Sequence, residues 1–264
     1  FIGGGQMAEA IITGLMQSDL SPDLHVSVNE PLESRKKYLT LHYDLKTVDA
    51  PEDLCATNDI IVLAVKPQIM PVVLEQVKPF LLNQLVVTIA AGLPISFYMD
   101  LVEKPSISVV RAMPNMPALI QQGATALCRN SNVSDSDFAF VTSLFDTIGI
   151  TVTVPESSMD AVTGLSGSGP AYVFSFIEAM IEGGVKSGLP REIARNLTIQ
   201  TIQGAVMLAN RSEEHPAILR DKVTSPGGTT ASGLHLLAAK GFNGIVISAV
   251  EAAYMRSIEL GFRK

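Results

Sequence analysis

The chain has 264 residues, 47% of them hydrophobic and 17% charged, with a formal net charge of −7 and two cysteines. That length supports one large domain or two modest ones, and the apolar content excludes a disordered chain. The acidic balance excludes a basic nucleic-acid groove or lipid-surface patch, and apolar runs such as residues 60–65 are far shorter than a membrane span.

From the N-terminus, short apolar runs alternate with helical patterns. Strands are predicted at 1–2, 24–28, 60–65, 86–90, 109–112, 124–128 and 151–154, and apolar residues fall at helical spacing over 8–16, 32–43 and 69–77. Ile60-Ile61-Val62-Leu63-Ala64-Val65 has no alternation, the pattern of a strand covered on both faces. The alternation implies right-handed crossovers and a mostly parallel sheet, an α/β domain over residues 1–155. Because Phe1 lies inside a strand, further residues are expected upstream of it. Cys55 and Cys128 have neither metal-ligand spacing nor a disulfide framework, which fits a reducing, cytoplasmic setting.

After about Pro155 the strand signal stops, and helices are predicted at 171–187, 192–208, 216–223, 231–239 and 245–260. Pro170 sits where a first-turn proline is tolerated and Gly188 where a left-handed C-cap residue belongs. The last helix is apolar on nearly every face and must be enclosed. A helical domain of residues 156–264 is too small to enclose several such helices, so burial against a second copy, a homodimer, is expected.

Three groups of residues carry chemistry. In Phe1-Ile2-Gly3-Gly4-Gly5-Gln6-Met7-Ala8 a strand runs into G-x-G-x-x-A and opens a helix. Gly3 permits the tight turn, Gly5 lets a pyrophosphate approach the backbone, and Ala8 permits close helix–strand packing; amides at Gln6 and Met7 open the helix toward the phosphates. The next strand ends at Asn29 and Glu30, with Arg35 in the following helix. Glu30 suits the ribose hydroxyls of NADH and repels the 2′-phosphate of NADPH, which Arg35 would attract; the choice stays open, leaning to NADH.

Ala64, Val65, Lys66 and Pro67, then Ala90, Ala91 and Gly92, lie at carboxyl ends of apolar strands, where an open sheet presents its crevice. Met113 and Asn115 follow the next strand within reach of a nicotinamide; for Arg111 and Lys66, direct contact and capping by an exposed cation are equally open readings. Finally, Lys222-Val223-Thr224-Ser225-Pro226-Gly227-Gly228-Thr229-Thr230 places four hydroxyls and two glycines ahead of a helix, a nest suited to a small carboxylate. The plainer alternative is a Ser/Thr helix cap.

These segments resemble the pyrroline-5-carboxylate reductases. Besides the glycine turn, Ala64-Val65-Lys66-Pro67 and the loop from Ser225 to Thr230, the matching blocks are Val162-Thr163-Gly164-Leu165-Ser166-Gly167-Ser168-Gly169-Pro170-Ala171-Tyr172 and Gly184-Val185-Lys186-Ser187-Gly188-Leu189-Pro190. The resemblance implies a Rossmann-type doubly wound sheet followed by an all-α dimerisation domain. It implies reduction of 1-pyrroline-5-carboxylate to L-proline by NADH or NADPH, the last step of proline synthesis. Thr230 would hydrogen-bond the ring nitrogen, and Ser225 would help hold the carboxylate with the amides of Gly227, Gly228 and Thr229; Glu213 matches an acidic residue near the site. Interlocked dimers, assembled further into a decameric ring and sharing residues across each active site, are also implied. Many bacterial members carry Asn-Arg where this chain has Asn29-Glu30. A β-hydroxyacid-type dehydrogenase and a non-catalytic nucleotide-sensing relative are the alternatives. The first needs a Lys–Asn pair, for which the chain offers only Lys186 and Asn196, and the second a damaged loop after Ser225, which is intact.

Overall fold

The computed structural model describes residues 1–20 and 24–261. It divides into two compact units, Phe1–Ser168 with Glu251–Lys264, and Gly169–Val250.

The first unit is a sheet with helices. Its strands are β1 (Ser27–Asn29), β2 (Lys46–Val48), β3 (Ile60–Leu63), β4 (Leu85–Thr88), β5 (Ser108–Met113), β6 (Gly123–Arg129) and β7 (Gly149–Thr153). Its helices are α1 (Gln6–Met16), α2 (Glu33–Tyr43), α3 (Glu52–Cys55), α4 (Met70–Val77), α5 (Ile95–Val102), α6 (Asp135–Asp146) and α7 (Met159–Val162). Ile2 bridges to Asn29 on one side and Leu63 on the other, both parallel, so the first residues join the β1–β2 ladder to the β3–β4–β5–β6–β7 ladder. The chain leaves the sheet centre and its order reverses there, which makes the turn after Ile2 the switch point at which open sheets take ligands.

The expected parallel sheet holds from β1 to β5. β6 runs antiparallel to β5, with Arg111 opposite Cys128, and β7 returns parallel to β6. Strand β2 and helices α5 and α6 escape the periodicity. β2 has three residues, none buried, at the sheet edge, too short to alternate visibly. Helix α6 is opened by Ser134, whose hydroxyl accepts from the Asp137 amide at 3.0 Å, a cap visible in Ser134-Asp135-Ser136-Asp137. The core lies on both faces of the sheet. One large cluster holds Leu63, Leu74, Val86 and Tyr98 and a second Ile11, Val87, Leu127 and Phe145, which is why β3 and β4 are apolar without alternation; a smaller third joins Ile12, Val28 and Leu39.

The second unit is all-helical: α8 (Gly169–Lys186), α9 (Arg191–Arg211), α10 (Pro216–Lys222), α11 (Thr229–Ala239) and the first part of α12 (Phe242–Gly261), whose residues from Glu251 count with the first unit. Pro170 lies in the first turn of α8, and Gly188, at φ +100°, closes it while the Leu189 amide reaches back to the Gly184 carbonyl at 3.1 Å. A side chain at Gly184 would press on Ala194 at 3.1 Å, so this glycine lets α8 and α9 cross closely. No residue of α8 or α11 is buried, and Ile247 of α12 is 59% exposed. So much uncovered apolar helix in one chain marks an interaction surface. Among the described residues, no single helix is long and apolar enough to cross a membrane.

Candidate functional site

The glycine turn is shaped by both conformation and space. Gly3 has φ +97°, and a Cβ there would meet the Ala64 carbonyl oxygen at 2.7 Å, so both conformation and space demand glycine. At Gly5 the space where a side chain would stand is open. Gly5 is also the N-cap residue of α1 and no side chain caps it, so the amides of Gln6 and Met7 remain available to an acceptor. Ala8 is fully buried against the sheet. A turn with room at Gly5 and an uncapped helix behind it fits a dinucleotide pyrophosphate.

Glu30 and Arg35 both turn onto Gly4. The Glu30 carboxylate accepts from the Gly4 amide at 2.9 Å and, through its other oxygen, from the Leu32 amide at 2.8 Å. Arg35 donates from Nε to the Gly4 carbonyl at 2.6 Å and from a terminal nitrogen to Glu9. The second Glu9 oxygen accepts from the hydroxyls of Tyr38 at 2.9 Å and Tyr43 at 2.8 Å. Burial acts to raise the Glu9 pKa, but these donors outweigh it and hold the carboxyl below its ordinary value. The Asn29 side chain is engaged away from the turn, donating to the Val48 and Asp49 carbonyls at 3.2 and 3.0 Å. Sequence reasoning missed Glu9, Tyr38 and Tyr43, which come from two helices; the available signal was an acidic residue one turn into α1 beside a basic α2.

Other strand ends of the first unit divide. Ala64 and Val65 continue from β3 toward the turn, and exposed Lys66 precedes the short helical turn Pro67–Ile69. Ala90 and Ala91 follow β4. Gly92, at φ +80°, lies under the end of α12, where a Cβ would meet the Ser257 carbonyl oxygen at 3.0 Å; its conformation has a packing cause. Met113 ends β5 and would be struck by any side chain at Gly167. Asn115 has a committed amide, donating to the Ser166 carbonyl at 3.0 Å and accepting from the Ala124 amide at 2.9 Å. It thereby holds the π-helical turn Thr163–Gly167. Arg111 is 3% exposed and stands 3.6 Å from both Glu156 and Asp160, so it is a buried ion-pair centre and not an exposed strand-end cation. A lone arginine between valines and an alanine in a core strand was the sign that partners must exist.

In the second unit, Ser225-Pro226-Gly227-Gly228 forms a tight turn in which the Gly228 amide reaches the Ser225 carbonyl at 3.0 Å. Pro226 takes the first central position and Gly227, at φ +69°, the second, the arrangement of a type II turn. Gly228 is the N-cap residue of α11 and no side chain caps it, so the first-turn amides stay open and the Ser/Thr-cap alternative is not what the structure shows. Among the described residues, no hydrogen bond engages the hydroxyls of Ser225, Thr229 or Thr230. The Thr224 hydroxyl donates back to the Arg220 carbonyl at 2.7 Å, and Lys222 grips Glu214 with contacts of 2.7 and 2.6 Å; the stretch from Thr224 to Thr230 itself carries no Lys or Arg. Glu213 is exposed beside this clip. His215 is structural, its Nδ1 accepting from the Ala217 amide at the start of α10.

A cavity of about 480 Å³ lined by Leu15, His25, Tyr43, Lys46 and Asn58 opens at the amino ends of β1 and β2, the end of the strands away from the glycine turn. Among the described residues no group of three or more His, Cys, Asp or Glu could hold a metal ion.

Residues 156–260 match the family model described as pyrroline-5-carboxylate reductase dimerisation, and residues 1–92 match NADP oxidoreductase, coenzyme F420-dependent. A pyrroline-5-carboxylate reductase of Synechocystis sp. is 43% identical over 262 residues, covering 98% of this chain and 97% of its own. The chain belongs to the pyrroline-5-carboxylate reductase family. An Arabidopsis thaliana pyrroline-5-carboxylate reductase is 37% identical, covering 98% and 94% of the two chains. The crystal structure of Plasmodium falciparum pyrroline carboxylate reductase with NADP bound superposes with a TM-score of 0.90 at 37% identity, covering 99% of this chain and 97% of its own. That from Coxiella burnetii gives 0.90 at 33%, covering 98% and 97%. Within the pyrroline-5-carboxylate reductase family this chain therefore sets a carboxylate, Glu30, directly on the backbone of its glycine turn.

Proposed function

We propose that this chain reduces 1-pyrroline-5-carboxylate to L-proline, with NADH as the preferred reductant. The observation that carries the reading is the uncapped start of α11 behind the Ser225–Gly228 turn, an anion cradle without a cation in a chain of this family.

When bound, the reduced dinucleotide supplies a hydride to the ring carbon of the C=N bond. The chain's own part is binding and orientation. Gly3, Gly5 and the first amides of α1 hold the pyrophosphate, and Glu30 accepts from the adenosine ribose hydroxyls. Ala64, Val65, Lys66, Pro67, Ala90, Ala91, Gly92 and Met113 line the approach of the nicotinamide, with Asn115 shaping the wall through Ser166. Ser225 and the amides of Gly227, Gly228 and Thr229 hold the substrate carboxylate. Thr230 bonds the ring nitrogen as it passes from imine to amine, the added proton arriving from water or carried in on the imine. Glu213 biases that neighbourhood toward the cationic imine. The subunit works as a homodimer, assembled further into a decameric ring, in the cytoplasm.

The test is oxidation of NADH and of NADPH, followed by nicotinamide absorbance with 1-pyrroline-5-carboxylate as acceptor. Turnover with proline as product, faster with NADH at equal concentration, is expected. Turnover confined to hydroxyacids would replace this reading with the dehydrogenase alternative.

A further inference from the structure

We propose that Glu9 sets the dinucleotide selectivity of this chain by holding the Arg35 guanidinium against the backbone of Gly4, so that Arg35 braces the glycine turn instead of receiving a ribose phosphate. The inference rests on the reading of that turn as the dinucleotide site.

Arg35 would ordinarily favour a 2′-phosphate, since a guanidinium matches phosphate with paired donors. Here its donors are directed elsewhere. Nε points to the Gly4 carbonyl at 2.6 Å, one terminal nitrogen to Glu9, and the guanidinium carbon lies 4.9 Å from the centre of the Tyr38 ring. Glu9 cannot swing to release it, because its other oxygen accepts from Tyr38 at 2.9 Å and Tyr43 at 2.8 Å. Thr13 adds a hydroxyl contact to Tyr43 at 3.2 Å, so the second tyrosine is held in turn.

Gly4 is consequently gripped at both backbone polar groups, its N–H by Glu30 and its C=O by Arg35. The charge count at the turn is two carboxylates, Glu9 and Glu30, against one guanidinium. A ribose phosphate adds a charge of about −2 to that surplus. It would have to take Arg35 from a carboxylate already in place. Ribose hydroxyls carry no such charge and need only an acceptor, which Glu30 supplies.

The experiment measures equilibrium dissociation constants of NADH and NADPH by calorimetry on the full chain and on Glu9→Gln, Arg35→Gln and the double variant, each checked for native circular dichroism. Glu9→Gln is expected to tighten NADPH about tenfold while moving NADH less than about threefold, the scale of one recovered charge-assisted contact. Arg35→Gln alone should weaken both dinucleotides by a similar factor, and in the double variant the NADPH gain should vanish. A selective loss of NADPH in Arg35→Gln would overturn the proposal, because Arg35 would then be the phosphate receptor already. So would an unchanged NADPH-to-NADH ratio in Glu9→Gln. If the unaltered chain binds neither dinucleotide, the nucleotide-site reading itself falls; if it binds both and the ratio does not move, only the role of Glu9 falls.

Discussion

Ser257, near the end of α12, donates its hydroxyl to Asp160 at 2.6 Å across 97 positions of sequence. Asp160 and Glu156 stand 3.6 Å from Arg111, and Glu156 also accepts the Ile95 amide at 2.6 Å. A single buried guanidinium thus gathers β5, α7, the start of α5 and the end of α12.

Removing the guanidinium should cost more than removing the hydroxyl. Arg111→Met leaves two carboxylates facing a core strand and is expected to destabilise the chain by about 2–3 kcal/mol, toward the low side for a broken buried pair because both acids are partly exposed. Ser257→Ala removes one hydrogen bond to a charged partner, about 1–2 kcal/mol. Urea unfolding of the two variants checks the order; equal midpoints for Ser257→Ala and the unaltered chain would show that Asp160 is held without it.

Two glycines in the same turn should fail in different ways. Gly3→Ala forces a Cβ to within 2.7 Å of the Ala64 oxygen at φ +97°, so lower thermal stability is expected, by about 2 kcal/mol or more. Gly5→Val meets open space in the protein, so the melting temperature should stay close to that of the unaltered chain while dinucleotide affinity falls at least about tenfold. Thermal melts and nucleotide titrations separate the two.

Thr230→Ala is expected to lower kcat about tenfold to a hundredfold and leave the dissociation constant of the dinucleotide nearly unchanged, since the role proposed for it concerns the ring nitrogen. Ser225→Ala should act chiefly on KM for 1-pyrroline-5-carboxylate. Steady-state kinetics in both cosubstrates checks the division, and a Thr230→Ala enzyme of unaltered kcat would remove Thr230 from the chemistry.

Burial, followed by the nearby Glu156 carboxylate, pushes the Cys128 thiol up to about 11 from an ordinary 9.0. In the folded chain at pH 8 its thiolate fraction is then about a thousandth, so a thiol reagent should label Cys128 only on unfolding. The unfolded chain loses this proton first. Between pH 9 and 11 it therefore binds fewer protons than the native state, and stability falls as pH rises through that window. Urea midpoints for the unaltered chain and Cys128→Ala, compared at pH 8 and 10.5, should converge at the higher pH. Fast labelling of the native chain at pH 8 would contradict the burial.

Local features were legible in the one-dimensional pattern because their causes are local. Gly3 and Gly5 announce a strand–turn–helix junction through chirality and space, Gly188 a helix end, and the unbroken apolar run at residues 60–65 a strand covered on both faces. The hydroxyl-rich loop before α11 was likewise readable, since proline followed by two glycines already dictates the turn. Tertiary structure alone decided what charged and amide groups do. Arg111 reads equally as a nicotinamide contact or an exposed strand-end cap and is a buried hub; Arg35, which on sequence could attract a phosphate, is paired with Glu9, 26 positions away. Asn115 holds Ser166 across 51 positions, and β6 reverses the sheet by pairing with β5. The physical reason is the same in each case. Backbone conformation follows from a residue and its neighbours, whereas a buried charge or amide takes its role from whichever partner the fold delivers, and no spacing along the chain encodes that partner.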